Sequence, residues 1–121
     1  MVEMTTPVAN LMMTPDRVRD EIRERILGVV RDRARAIYLY GSRAKGTARA
    51  KSDWDVAVVL RGPLEDWAAE SLRLSALFYP SSYAVDLQVF EDEEFSLDAT
   101  VPGTLPYTVA LRGERLYDHA R

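Results

Sequence analysis

Apolar residues recur at helical spacing early in the chain. Val18, Ile22, Ile26 and Val29 or Val30 fall on one side of a helix, and Arg17, Arg19, Asp20, Glu21, Arg23, Glu24 and Arg25 fill the other faces. Thr14-Pro15-Asp16 supplies a start signal: a capping hydroxyl, a proline at the first helical position and an acid that favours the helix dipole. The spacing predicts an amphipathic helix to about Arg33. The runs "AIYLY" (36–40), "WDVAVVL" (54–60) and "SYAVDLQVF" (82–90) predict three strands, the second apolar enough to be buried on both faces. Leu64 to about Tyr79 reads as a second helix, ended by Pro80. "EDEEFSLD" reads as an acidic loop, and Thr104 to Arg112 as a last helix with Gly113 as its C′ residue. "ERLY" offers a final edge strand.

This order predicts the α/β class: a single small domain, with a mixed β-sheet of about four strands and helices packed on it. Residues 1–13 are expected to form a loose N-terminal arm and residues 14–121 the domain. The length of 121 residues leaves little room for a second domain. There is no cysteine, so disulfides and thiolate metal sites are excluded, which suits a reducing cytoplasm. No apolar run reaches the roughly 18 residues of a membrane span, and the first residues lack the basic start of a signal peptide. The formal net charge of −3 argues against an extended nucleic-acid surface. Anion binding must then be local.

One stretch supplies such a locus. "GSRAKGTARAKSDWD" joins the first two strands and carries Arg43, Lys45, Arg49 and Lys51 without an intervening acid. Gly41 permits a sharp turn that bares backbone N–H groups, and Ser42 adds a hydroxyl at the start of a helical turn, a natural seat for phosphate. Arg43 and Lys45 are placed to neutralise further phosphate charge. Asp53 and Asp55 are two apart on a strand and therefore share a face. Two adjacent carboxylates repel unless a cation lies between them, and Mg²⁺ prefers such ligands together with phosphate oxygens. Asp86 interrupts an apolar strand, where an unpaired acid is costly. A neighbouring strand that brought it to Asp53 and Asp55 would complete a three-carboxylate cradle able to hold two Mg²⁺ ions.

Gly-Ser, ten residues and Asp-x-Asp, followed by a strand acid, resemble the signature of the DNA polymerase β-like nucleotidyltransferase superfamily. "YGSRAKGTARAKSDWDVAVVL" looks like its minimal nucleotidyltransferase branch, and "LRGERLYD" is similar to the EG-x-x-LY ending common there. The resemblance spans roughly residues 18–118. It implies a nucleotidyltransferase fold, with Asp53 and Asp55 as ligands of both metals and Asp86 as a third ligand beside the acceptor hydroxyl. It implies ATP as substrate, with Gly41 and Ser42 on its β- and γ-phosphates and Arg43 and Lys45 as variable additions. Larger relatives carry a second domain for their acceptor, whereas only about 30 residues follow Phe90 here. The resemblance therefore points to a partner or a second subunit. Minimal members are often paired with HEPN-domain toxins, act as antitoxins, and in some cases transfer AMP to a toxin tyrosine.

Two rival functions share these residues: a transferase acting on a small molecule, as a homodimer, and a non-catalytic antitoxin that masks a toxin by contact alone. The three intact aspartates count against the second. Arg112 and His119 have the spacing of a HEPN ribonuclease pair, but Gly113 interrupts the segment and the match reads as coincidence. Trp54 and Trp67 read as packing residues, and Leu11, Met12 and Met13 as apolar residues able to dock on the first helix or on a partner.

Overall fold

The computed structural model describes residues 14–120. The arm expected over 1–13, with Leu11, Met12 and Met13, lies outside them. Helix α1 (Pro15–Val30) starts as its sequence predicts: the Thr14 hydroxyl accepts the Arg17 N–H at 3.3 Å and Pro15 opens the first turn. It ends three residues short of Arg33, because the chain turns at once into β1 (Ala34–Tyr40). A single helical turn, α2 (Ser42–Lys45), follows, and then β2 (Trp54–Leu60).

The second predicted helix is shorter than its apolar spacing suggests. Helix α3 (Trp67–Ser75) starts where the Asp66 carboxylate accepts the Ala69 N–H at 3.0 Å, and it tightens into a 3₁₀ turn over Ala76–Phe78. Trp67 is not core but 62% exposed on its first turn. Strand β3 (Val85–Glu91) runs directly into α4 (Asp92–Asp98), the segment expected as an acidic loop. Its first turn holds Asp92, Glu93 and Glu94, which suit the positive end of a helix dipole. Phe95 anchors it, 6% exposed, with ring centroids 5.7 Å from Tyr38 and 5.5 Å from Phe90. Helix α5 (Leu105–Arg112), capped by Thr104, and edge strand β4 (Glu114–Asp118) close the chain.

The four strands stand in the order β3-β2-β1-β4. β1 is antiparallel to β2 and β4, and β2 is parallel to β3, so the sheet is mixed. One face carries the larger core: Val18, Ile22, Ile26 and Val30 of α1 and Leu74 of α3 pack on Ile37, Leu39, Trp54, Val56, Val58, Leu60, Leu87 and Val89. The other face is smaller, with Phe95 of α4 and Val109 of α5 over Ala36, Tyr38, Ala57 and Val59. β1 and β2 are central and buried on both sides, which explains their nearly continuous apolar character. β3 is an edge strand, and the Ser71 hydroxyl of α3 accepts the Val89 N–H at 3.0 Å, occupying one open edge donor.

Gly113 follows α5 in extended backbone, φ −74° and ψ 158°, rather than in a left-handed cap. Its small size has a steric reason instead: a Cβ there would lie 2.5 Å from the Val109 carbonyl oxygen and 3.3 Å from that of Leu39. At Gly28, inside α1, a Cβ meets nothing within 4 Å. We therefore expect Gly113→Ala to destabilise the fold by about 1–3 kcal/mol and Gly28→Ala to stabilise it by about 0.5–1 kcal/mol. Urea unfolding of the two variants beside the parent protein checks both signs.

Candidate functional site

At one end of the sheet, Tyr40 lies opposite Asp55 across the β1–β2 pair, and Asp55 lies beside Asp86 across the β2–β3 pair. Strand alternation puts all three on the face covered by α4 and α5, where Tyr40 packs partly buried against the apolar cluster. The next row inward is Tyr38, Ala57 and Gln88; the next is Ala36, Val59 and Phe90. Polarity thus grows toward the end where the loop joins β1 to β2. Asp53 precedes β2 by one residue and shares the face of Asp55.

Asp86 does not carry the burial cost expected of an acid in an apolar run. It is exposed, because β3 is an edge strand and its apolar partners point to the opposite face. Asp55 is half-buried, and its carboxyl is pushed above the ordinary value of 3.8, first by burial and then by the charges of Asp86 and Asp53. The three acids therefore share one electrostatic site. Tyr40 belongs to it too. Burial, followed by the charges of Asp55 and Asp86, pushes its phenol up to about 12 and keeps it a hydrogen-bond donor. Tyr40 was not predicted as a site residue. Its only sequence signal is its position immediately before Gly41, and strand register is needed to place it against the acids.

Gly41 ties the loop to the carboxylates. It has φ 72°, and a Cβ on it would stand 2.2 Å from the Asp55 Oδ2. A side chain is excluded twice, by backbone conformation and by the carboxylate itself. Ser42 and Arg43 open the helical turn directly after it, so their N–H groups are helix-start donors with no acceptor inside the turn. Gly46, at φ 77°, ends that turn in a left-handed cap.

The basic residues divide. Arg43 is committed to the loop: its Nη2 donates to the Ser52 carbonyl at 2.7 Å and to the Ala50 carbonyl at 3.4 Å, and its Cζ lies 4.2 Å from the centroid of the Trp54 ring. Trp54 itself is 3% exposed in the larger core, as its packing role predicts. Lys45 stands at the end of the short turn, with no ion pair among the described residues. His119 lies beside Arg35, whose carbonyl accepts its backbone N–H at 2.9 Å, far along the sheet from the acids.

The donor set of Asp53, Asp55 and Asp86 is all oxygen, which suits a hard cation such as Mg²⁺. Among the described residues no three such groups are gathered closely enough to form a finished metal cage.

A model of the polymerase beta nucleotidyltransferase family matches residues 26–119. A search of curated proteins returns no match. Among solved structures, a nucleotidyltransferase from Sulfolobus solfataricus aligns at TM-score 0.58 and 20% identity, over 84% of this chain and 78% of the other. Two mutant forms of the toxin–antitoxin MntA-HpeT align at TM-scores of 0.52 and 0.51, with 20% and 24% identity. They cover 83% and 79% of this chain, and 73% and 72% of theirs. At such identities the likeness is one of fold. No helix among the described residues is long and apolar enough to cross a membrane.

The raised carboxyl of Asp55 carries a pH consequence for the metal-free protein. Because the folded state binds the proton more tightly than the unfolded chain, the stabilising contribution is present below the ordinary value of 3.8 and is lost as pH rises through the raised folded value. Asp55→Asn should remove that loss. In EDTA near neutral pH its Tm should equal the parent's or exceed it by up to roughly 4 °C, the ceiling being set by solvent screening. Gly41→Ala should instead lower the Tm, and paired melts at pH 4 and pH 7 separate the two behaviours.

Proposed function

The chain belongs to the polymerase beta nucleotidyltransferase family, and we propose that it is a Mg²⁺-dependent enzyme moving AMP from ATP to a hydroxyl acceptor. The observation that carries this reading is the cross-strand row of Asp55 and Asp86, with Gly41 pressed against Asp55 at the mouth of the loop. Asp53, Asp55 and Asp86 would hold Mg²⁺, two ions in this reading. Bound there, the metal supplies neutralisation of triphosphate charge and acidification of the acceptor hydroxyl. Gly41 and Ser42 would seat the β- and γ-phosphates through helix-start N–H groups and the Ser42 hydroxyl, with Lys45 adding charge nearby. Arg43 would serve the same seat by holding the loop in shape. Asp86, on the exposed edge strand, stands on the acceptor side. In the transfer the acceptor oxygen bonds to the α-phosphorus, the bond to the departing pyrophosphate breaks, and the acceptor proton passes to Asp86 or solvent.

The acceptor we propose is a tyrosine of a partner protein, a HEPN-domain toxin that this chain would neutralise as antitoxin by AMPylation in the cytoplasm. Two observations support a macromolecular acceptor. The site is a row at an open sheet end with no second domain over it among the described residues. Proteins of this fold also occur in toxin–antitoxin pairs. Exposed Leu97, Val101 and Leu111 on and after the helices flanking the site's face offer apolar contact area to such a partner or to a second copy. The rival, a small-molecule acceptor, would be favoured if labelled AMP appeared on an added alcohol but on no protein.

The test is transfer of labelled AMP from ATP, run with and without EDTA beside nucleotide-binding titrations. Asp86→Asn should bind MgATP within about threefold of the parent and lose at least 100-fold in transfer, the range expected when a group acting in the transition state is removed. Asp53→Asn and Asp55→Asn should weaken both. Full transfer by Asp86→Asn, or ATP binding that is indifferent to EDTA, would overturn the assignment.

A further inference from the structure

Behind the loop, on the α1 side of the sheet, lies a cavity of about 330 Å³ that the proposed reaction does not use. Arg43, Lys51, Ser52, Trp54, Ser82 and Tyr83 line it, and the start of α1 gives it an apolar wall. Trp54 points to this side while its neighbour Asp55 points to the other, so the cavity and the carboxylate row are on opposite faces of the sheet.

The chemistry of the lining is one-sided. Among the described residues no acidic side chain lines the cavity, although the protein as a whole carries a net charge of −3. Among the described residues neither Arg43 nor Lys51 forms an ion pair, a state they share with Arg17, Arg31, Lys45, Arg49, Arg61 and Arg112. Arg43 shows a second, independent sign. Its Nη2 is satisfied by the Ala50 and Ser52 carbonyls, but its Nε is buried and has no hydrogen-bond partner among the described residues. A buried cationic N–H without an acceptor is costly and rare in a settled fold. An anion in the adjoining cavity would offset that cost through the guanidinium charge rather than by bonding the enclosed Nε, with the Lys51 ammonium and the Ser82 hydroxyl as direct donors.

We propose that this cavity is a second anion site, distinct from the triphosphate seat, which takes a small phosphate-bearing ligand. The cavity volume admits a phosphate with a small organic body. The apolar start of α1, with Pro15 and Val18 in the lining, favours a monoester over the bare ion. Because Arg43 also clasps the Ala50 and Ser52 carbonyls, an occupant would touch the segment that leads directly into Asp53.

Trp54 lines the cavity and provides the readout. In a Trp67→Phe background it is the sole tryptophan. Inorganic phosphate and phenyl phosphate are titrated separately into this protein in EDTA, at ionic strength held constant with chloride, and Trp54 emission is followed. Saturable changes are expected, with phenyl phosphate the tighter of the two; equal affinities would assign the site to the free ion. Lys51→Glu should weaken binding at least fivefold, whereas Ser42→Ala, altered in the triphosphate seat on the other face, should leave it within twofold. A response that does not saturate, or one abolished by Ser42→Ala and untouched by Lys51→Glu, would overturn the second site. Either result leaves the metal-dependent transfer assay unaffected, so the two readings fail separately.

Discussion

Two like charges on neighbouring strands, with a third just ahead of them, form the constraint around which this small domain is arranged. Parallel pairing of β2 with β3 sets Asp55 beside Asp86, and the start of β2 sets Asp53 on the same face. Burial makes this worse for Asp55, whose carboxyl is raised by desolvation as well as by its neighbours. A fold that only had to be stable would place apolar residues there, since a half-buried acid among acids contributes nothing to the core. The loop after β1 is built to the same constraint. Gly41 leaves room for the Asp55 carboxylate at a distance no side chain would permit.

The two faces of the sheet divide the work. The α1 and α3 side buries a continuous apolar cluster from Val18 to Val89 and supplies most of the hydrophobic stabilisation. The other side is thinner: Tyr40 packs at the margin of the cluster under Phe95 and Val109, while beside it Asp55 is half-buried and Asp86 exposed. That incomplete cover leaves the acids accessible while the strands bearing them stay fixed by the core behind. Trp54 links the two sides. It is locked into the larger core and carries Arg43 on its ring, and Arg43 in turn holds the carbonyls of Ala50 and Ser52 just before Asp53. The shape of a glycine-rich loop is thus set by packing on the far side of the sheet.

Much of this was legible from local pattern. Strand alternation and helical spacing are short-range properties, so α1, the strands and the last helix stand close to where their residues predict them. The shared face of Asp53 and Asp55 follows from a two-residue period alone. The departures from that pattern have a common cause. The conspicuous charge of "EDEEFSLD" points to a loop, yet its order is decided by Phe95 finding Tyr38 and Phe90. Trp67 looked like core because of its size, but the Asp66 cap turned it outward at the first turn of α3.

The chain by itself determined which residue types were available and how they repeat: a glycine and serine after a strand, two acids on one face, a third within another strand. What it left open was which strands are neighbours and in what register, because those depend on contacts between residues far apart in sequence. Tertiary structure alone decided that Asp86 meets Asp55, that Tyr40 joins them, and that Arg43 turns to Trp54 and the loop carbonyls. The physical reason is that periodicity is written by neighbours along the backbone, whereas electrostatic coupling and close packing act through space.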